Sequence, residues 1–151
     1  MSNDFFGKPV TGEIHRYSEA APQQEDPAIL LDALNNVLEH PLAESVKWNQ
    51  YTPYFNDGDA CEFSIYSAAV KVKDVDEGGD WDNGFFGPWE LGYYDATKNI
   101  EGRESLQEAL REFESRLSSG AHYVILNEKF GDPAEVTATP DGFSVEYYEH
   151  D

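Results

Sequence analysis

Residues 48 to 63 read Trp48-Asn-Gln-Tyr-Thr-Pro-Tyr-Phe-Asn-Asp-Gly-Asp-Ala-Cys-Glu-Phe63. This stretch gathers aromatics, a proline, an Asn-Asp-Gly-Asp turn and the single cysteine of the chain. Everything before it reads as helical or loose, and the residues after it begin as sheet. The stretch is therefore where a helical region hands over to a strand. Within it, Asn56, Asp57, Gly58 and Asp59 form a structural turn, because Asn and Asp side chains bond their own backbone and Gly accepts positive φ.

Downstream, Cys61, Phe63 and Ile65 alternate with polar neighbours, the two-residue period of a half-buried strand. The alternation resumes with Val70 and Val72 against Lys71 and Lys73, in the opposite phase. Either a kinked strand or a hairpin around Ser67 to Ala69 accounts for that switch. Upstream, Asp26-Pro27 is a helix start, since Asp caps well and Pro is shaped for the first helical position. Leu30, Leu34, Val37 and Leu38 share the buried face of that helix, which ends near His40 because the residue before Pro41 avoids α geometry. Leu42 and Val46, four apart, suggest a second short helix from Pro41 to about Trp48.

Residues 1 to 25 lack a sustained period and read as a flexible N-terminal arm, on which Phe5, Phe6, Val10 and Ile14 are available to pin part of it to the domain. Residues 26 to 151 then form one domain, in keeping with a length that buries a core without disulfides or metal. Phe85 to Tyr94 is aromatic and Gly-rich and reads as an irregular strand. Leu106, Leu110, Phe113 and Leu117 stripe a helix over 103 to 118, with Glu112 and Arg116 paired on its surface. Residues 121 to 130 lean to helix, stopped by Gly131-Asp-Pro. The chain closes with a hairpin, 135 to 139 and 143 to 148, joined by Pro140-Asp141-Gly142 and presenting Phe143, Val145 and Tyr147 on one face. The expected class is α+β: helices packed on a small antiparallel sheet whose firmest parts are residues 60 to 66 and the C-terminal hairpin.

Thirty Asp and Glu against ten Lys and Arg give a formal net charge of −20. Such a chain repels phosphate backbones and anionic lipid, which argues against direct nucleic-acid or membrane binding; divalent cations or a basic protein face suit the surface, and a chain that is merely very soluble accounts for it equally. Forty per cent apolar content sets it apart from a disordered acidic tail. No apolar run approaches membrane-spanning length and the N-terminus lacks a signal-peptide pattern; the single cysteine, Cys61, allows no internal disulfide and favours a reducing cytoplasm.

Catalytic spacing is absent. His15, His40, His122 and His150 are scattered, Cys61 alternates with core residues, and no Gly-rich loop opens a helix. The acid clusters at Asp57/Asp59 and at Asp74, Asp76, Asp80 and Asp82 lack the paired Gly and Glu of a calcium loop, so no metal or cofactor is expected. The acidic loop after the sheet start is the candidate partner-binding site: Asp74, Asp76, Glu77, Asp80, Trp81 and Asp82. Trp81 among carboxylates suits a ring that anchors while charges steer a basic partner; it equally suits a satellite core with Phe85, Phe86 and Trp89.

Tyr51-Thr-Pro-Tyr-Phe-Asn-Asp-Gly-Asp-Ala-Cys-Glu-Phe63, and the tail from Phe130-Gly-Asp-Pro-Ala-Glu-Val-Thr-Ala-Thr through Gly142-Phe143 to Asp151, resemble blocks in a set of uncharacterised tailed-bacteriophage proteins of similar length. Ala60 stands where that set carries Pro. The resemblance implies a phage-encoded soluble protein acting in the bacterial cytoplasm, with no activity or site to carry over. Together with the charge, it points to a non-enzymatic protein of host-takeover or anti-defence type, occupying a basic surface of a host protein, a nucleic-acid-binding surface among the candidates, as a DNA mimic. A phage structural or assembly accessory using the aromatic loop is the alternative. A small-ligand-sequestering protein is the third, and it would require Lys8, Arg16, Lys47, Lys71, Lys73 and Arg103 to converge.

Overall fold

The computed structural model describes residues 4 to 12, 24 to 52, 64 to 79 and 84 to 147. Among these, seven strands form one sheet and four helices pack against it, an α+β domain with a single continuous core. The strands are β1 (Asp4–Phe5), β2 (Lys8–Gly12), β3 (Ala43–Tyr51), β4 (Ser64–Val72), β5 (Phe85–Phe86), β6 (Ala134–Thr139) and β7 (Gly142–Glu146). The helices are α1 (Pro27–Leu38), α2 (Pro88–Leu91), α3 (Arg103–Ser118) and α4 (Tyr123–Phe130). Sheet order is β1-β2-β7-β6-β3-β4-β5.

The chain's middle is built on β3, not on a second helix. Leu42 and Val46 stand four apart, but four is also a multiple of the strand period of two, so that spacing fits either element. In the structure Val46, Trp48 and Gln50 all point toward the helices, while Ser45, Lys47 and Asn49 occupy the other face and are buried as well. Polar Ser45, Lys47 and Asn49 alternate with Val46 and Trp48, the two-residue period of a strand, with both faces covered. The strand lies between β4 and β6 and is antiparallel to both. Trp48 meets Phe113 of α3 and Phe130 of α4 edge-on, with ring centroids 5.5 and 5.6 Å apart, an arrangement that favours the positive ring edge against the negative face.

The start of the 48 to 63 stretch is thus already strand, and the hand-over is from β3 to β4. Its Asn56 to Asp59 turn, Cys61 and Phe63 lie outside the described residues. Thr52 is tied to the α4–β6 connection: its N–H and hydroxyl donate to the two carboxylate oxygens of Asp132 at 3.0 and 2.7 Å. Beyond, β4 runs unbroken, so the phase switch is a kinked strand and not a hairpin. The register slips between Asn49↔Ser67 and Gln50↔Ile65, leaving Tyr66 as the extra residue. One inserted residue carries the buried set from odd Ile65 to even Ala68, Val70 and Val72. At Ala68 the backbone N–H donates to Glu114 of α3 at 3.1 Å, which satisfies a strand amide beyond the reach of the two-residue β5.

The helices follow their sequence signals. Asp26 accepts from Ala28 N at 2.9 Å and caps α1; Leu106, Leu110, Phe113 and Leu117 of α3 are fully buried; and 123 to 130 is helical. The hairpin is present too, with Gly142 paired to Thr139, so that the connection is two residues, Pro140 and Asp141, and not three. Phe143 and Val145 are buried, whereas Tyr147 falls beyond β7 and is exposed.

Two further expectations need correction. The sheet is mixed, because β2 pairs with β7 in parallel through Val10↔Phe143. The loose arm does not hold for Asp4–Gly12, which supplies β1 and β2. Phe5 and Val10 are the pins: Phe5 packs against Phe130 and Phe143 at 5.8 and 5.6 Å, while Phe6 stays half exposed. No helix among the described residues is long and apolar enough to cross a membrane.

Candidate interaction surface

The acidic loop leaves β4 through a tight turn at Lys73 and Asp74, where Asp74 adopts φ 65°. Three ties hold it. Lys73 N donates to Leu42 O at 2.8 Å, Gly84 N to Gly78 O at 2.9 Å, and Val72 N to Gly84 O at 3.1 Å. The Lys71 ammonium reaches inside to Val75 O at 2.6 Å and Val72 O at 3.1 Å, and faces Asp76 at 3.5 Å. Lys71 is thereby consumed by the loop backbone, so Asp74, Asp76 and Glu77 project outward, all exposed. Asp80, Trp81 and Asp82 lie outside the described residues.

The loop does not stand alone. Gly78 sits on the Phe86 ring, where an added Cβ would come within 3.0 Å of it, and lies beside Tyr94. Phe86 is fully buried and meets Tyr94 edge-on at 5.7 Å; Tyr94 meets Tyr93 at 5.4 Å. Tyr93 in turn stacks on Trp89, centroids 4.5 Å apart and planes 20° from parallel. Trp89 and Tyr93 are 65% and 59% exposed, the two most exposed large aromatic rings among the described residues. A continuous path therefore joins three outward carboxylates to a stacked, solvent-facing aromatic pair. Asp95, also exposed and held below the usual carboxylate range by its hydrogen bond and ion pair with Lys98, follows directly.

Sequence reading passed over this pair by treating 85 to 94 as an irregular strand. Only Phe85–Phe86 is strand, an edge paired to β4. Gly87-Pro88 then starts α2, and Glu90 folds back to accept from Gly87 N at 3.0 Å. Pro followed two positions later by Glu is a legible helix-start signal. It places Trp89 in α2 and Tyr93 just past the Gly92 cap, four positions on.

The His40–Ser105 pair is not arranged to activate the serine. His40 and Ser105 approach to 2.8 Å beside an open depression lined by Lys98, Glu101, Arg103 and Glu108. Yet His40 Nδ1 accepts from Leu42 N at 3.1 Å, so its Nε2 carries the proton and donates to Ser105, whose hydroxyl donates onward to Gly102 O. A base that must take the serine proton needs Nε2 free as acceptor. Burial also pushes the His40 pKa down, a hydrogen bond at Gly102 opposing it.

The cations do not build an anion pocket among the described residues. Lys47 and Lys71 share the sheet face away from the helices, but Lys47 pairs with Glu135 at 3.5 Å and covers the Phe85 ring at 4.4 Å, and Lys71 is held by the acidic loop. Lys8 reaches Asn35, and Arg103 bonds Gln107 and Lys98 O. Arg16 lies outside the described residues. No group of three or more His, Cys, Asp or Glu among the described residues is placed to hold a metal ion. No family model matches the chain, and neither a curated protein nor a solved structure matches it.

Proposed function

We propose that this chain is a non-enzymatic, acidic binding protein that docks on a basic surface of another protein through the Trp89–Tyr93 pair and the adjoining carboxylates of Asp74, Asp76 and Glu77. The observation that carries this reading is the contiguity of an exposed stacked aromatic pair with outward acids on a chain of net charge −20. Rigid aromatics are the residues that anchor protein interfaces, and charges around them set encounter rate and partner choice. A partner surface that normally holds nucleic-acid phosphates fits best, since carboxylates present the same sign of charge to the same Lys and Arg. The phage resemblance supports reading that partner as a bacterial host protein and the role as host takeover or anti-defence in the host cytoplasm.

The test mixes the protein with purified DNA-binding proteins of the bacterial host at low and high salt. Salt-sensitive capture, weakened about tenfold or more by Trp89→Ala and slowed in association by Asp74→Asn with Asp76→Asn, supports the proposal. Absence of capture at low salt sinks it. An assembly accessory of the phage particle would use the same aromatic pair, and finding the protein in purified virions would favour that reading instead.

A further inference from the structure

The corner between α3 and α4 holds a buried ionisable group with no part in the docking surface. His122 is 0% exposed, and neither Nδ1 nor Nε2 has a hydrogen-bond partner among the described residues. Over it runs the segment Gln24-Glu25-Asp26. Gln24 Nε2 donates to Gly120 O at 2.9 Å, its Oε1 accepts from Val124 N at 2.9 Å, and Glu25 N donates to Ala121 O at 2.8 Å. These three bonds close a strap across residues 120 to 124, with the imidazole sealed at the corner, and Asp26 goes on to cap α1. The charged groups facing the ring are Glu25 and Asp26 from the strap and Arg116 from α3. The carboxylates favour a charged ring and the guanidinium disfavours it, but burial outweighs them and holds His122 below the usual histidine range.

An imidazolium carries a proton on each nitrogen. Glu25 Oε1 lies 3.9 Å from Nε2, and nothing among the described residues accepts from Nδ1. Charging the ring in place would therefore seal an unpaired N–H of a cation away from water, far costlier than sealing the neutral ring. The strap is the part that can yield, because the Glu25 side chain is already half exposed. We propose that His122 is a proton-operated latch: the neutral ring stays sealed beneath residues 24 to 26, and the protonated ring frees that strap from the α3–α4 corner.

The experiment follows the full chain by NMR, recording the His122 ring signals and the exchange protection of the Glu25 and Val124 amides, with Leu110 of α3 as reference. As pH falls from about 7.5 through the ring's own titration, protection at Glu25 and Val124 falls about tenfold or more in step with it, while Leu110 keeps its protection. His122→Phe holds the strap closed throughout this range. Should that variant fail to fold, Glu25→Gln replaces it: without that carboxylate the closed corner holds a charged ring less well, so strap release moves to higher pH. The latch is overturned by a ring that titrates while strap protection stays constant, by equal loss of protection in His122→Phe, or by a release that does not move in Glu25→Gln.

Discussion

The two ends of α4 rest on two fully buried polar side chains, and they are treated in opposite ways. At the C-terminal end Gln50 of β3 uses its amide completely: Oε1 accepts from Trp48 Nε1 at 3.0 Å, and Nε2 donates to Leu126 O at 2.9 Å and Gly131 O at 2.7 Å. At the N-terminal end His122 has no such partner. A satisfied buried amide locks one geometry, whereas an unpartnered one costs the native state the hydration it gave up. The contrast teaches where this domain is held and where it can open. Its firm end is the junction of α4 with β3 and the aromatic cluster of Phe5, Trp48, Phe130 and Phe143; its weak end is the corner under the strap.

The largest effect expected from breaking the firm end is that of Phe130→Ala, which empties a site touched by three other rings and should lower stability by about 3–5 kcal/mol in urea unfolding. A loss under about 1 kcal/mol would mean the cluster is not where α4 is held. Next comes Gln50→Leu, which keeps the volume but leaves the Trp48 indole N–H and the Gly131 carbonyl without this partner; about 2–3 kcal/mol should be lost. At the weak end, Asp26→Ala removes the α1 cap and should cost about 1 kcal/mol, read as a downward shift in thermal midpoint.

The smallest effect at neutral pH belongs to His122→Phe, within about 1 kcal/mol of wild type, because an apolar ring loses no hydrogen bond there. Its signature is in the pH dependence. The folded-state pKa of His122 is lowered, so the unfolded chain binds the extra proton first. The contribution is therefore fully present above the unfolded value near 6.5 and is lost as pH falls from there toward the folded value. His40 is shifted in the same direction, so the variant should reduce, and not abolish, the acid-side slope of stability against pH. An unchanged slope would erase the contrast between the two ends.

Legibility in the sequence followed the range of the interactions involved. Capped α1, striped α3 and the terminal hairpin were readable because their signals, a cap with its proline, a 3.6-residue stripe and a tight turn, act over a few neighbours. Middle strand β3 was misread because the four-residue spacing of Leu42 and Val46 was weighed above the alternation of Ser45, Lys47 and Asn49 with Val46 and Trp48. The acids of the candidate surface were readable as composition; that Gly78, Phe86 and Tyr94 connect them to Trp89 and Tyr93 was not. Even the helix-start signal at Gly87-Pro88 gives the spacing of those two rings and says nothing of their exposure. His122 looked like one of four scattered histidines, because the strap that covers it comes from residues about a hundred positions earlier.

What this sequence determines by itself is local and additive: the charge of −20, the helix caps and stripes, and the hairpin turn. Tertiary structure alone decided that the 48 to 63 stretch begins inside a central strand, that β2 returns to lie parallel to β7, and which aromatics face water. The physical reason is the same in each case. Burial and strand pairing depend on what residues far away in the chain bring alongside, and a side chain carries no record of its neighbour until the chain has closed around both.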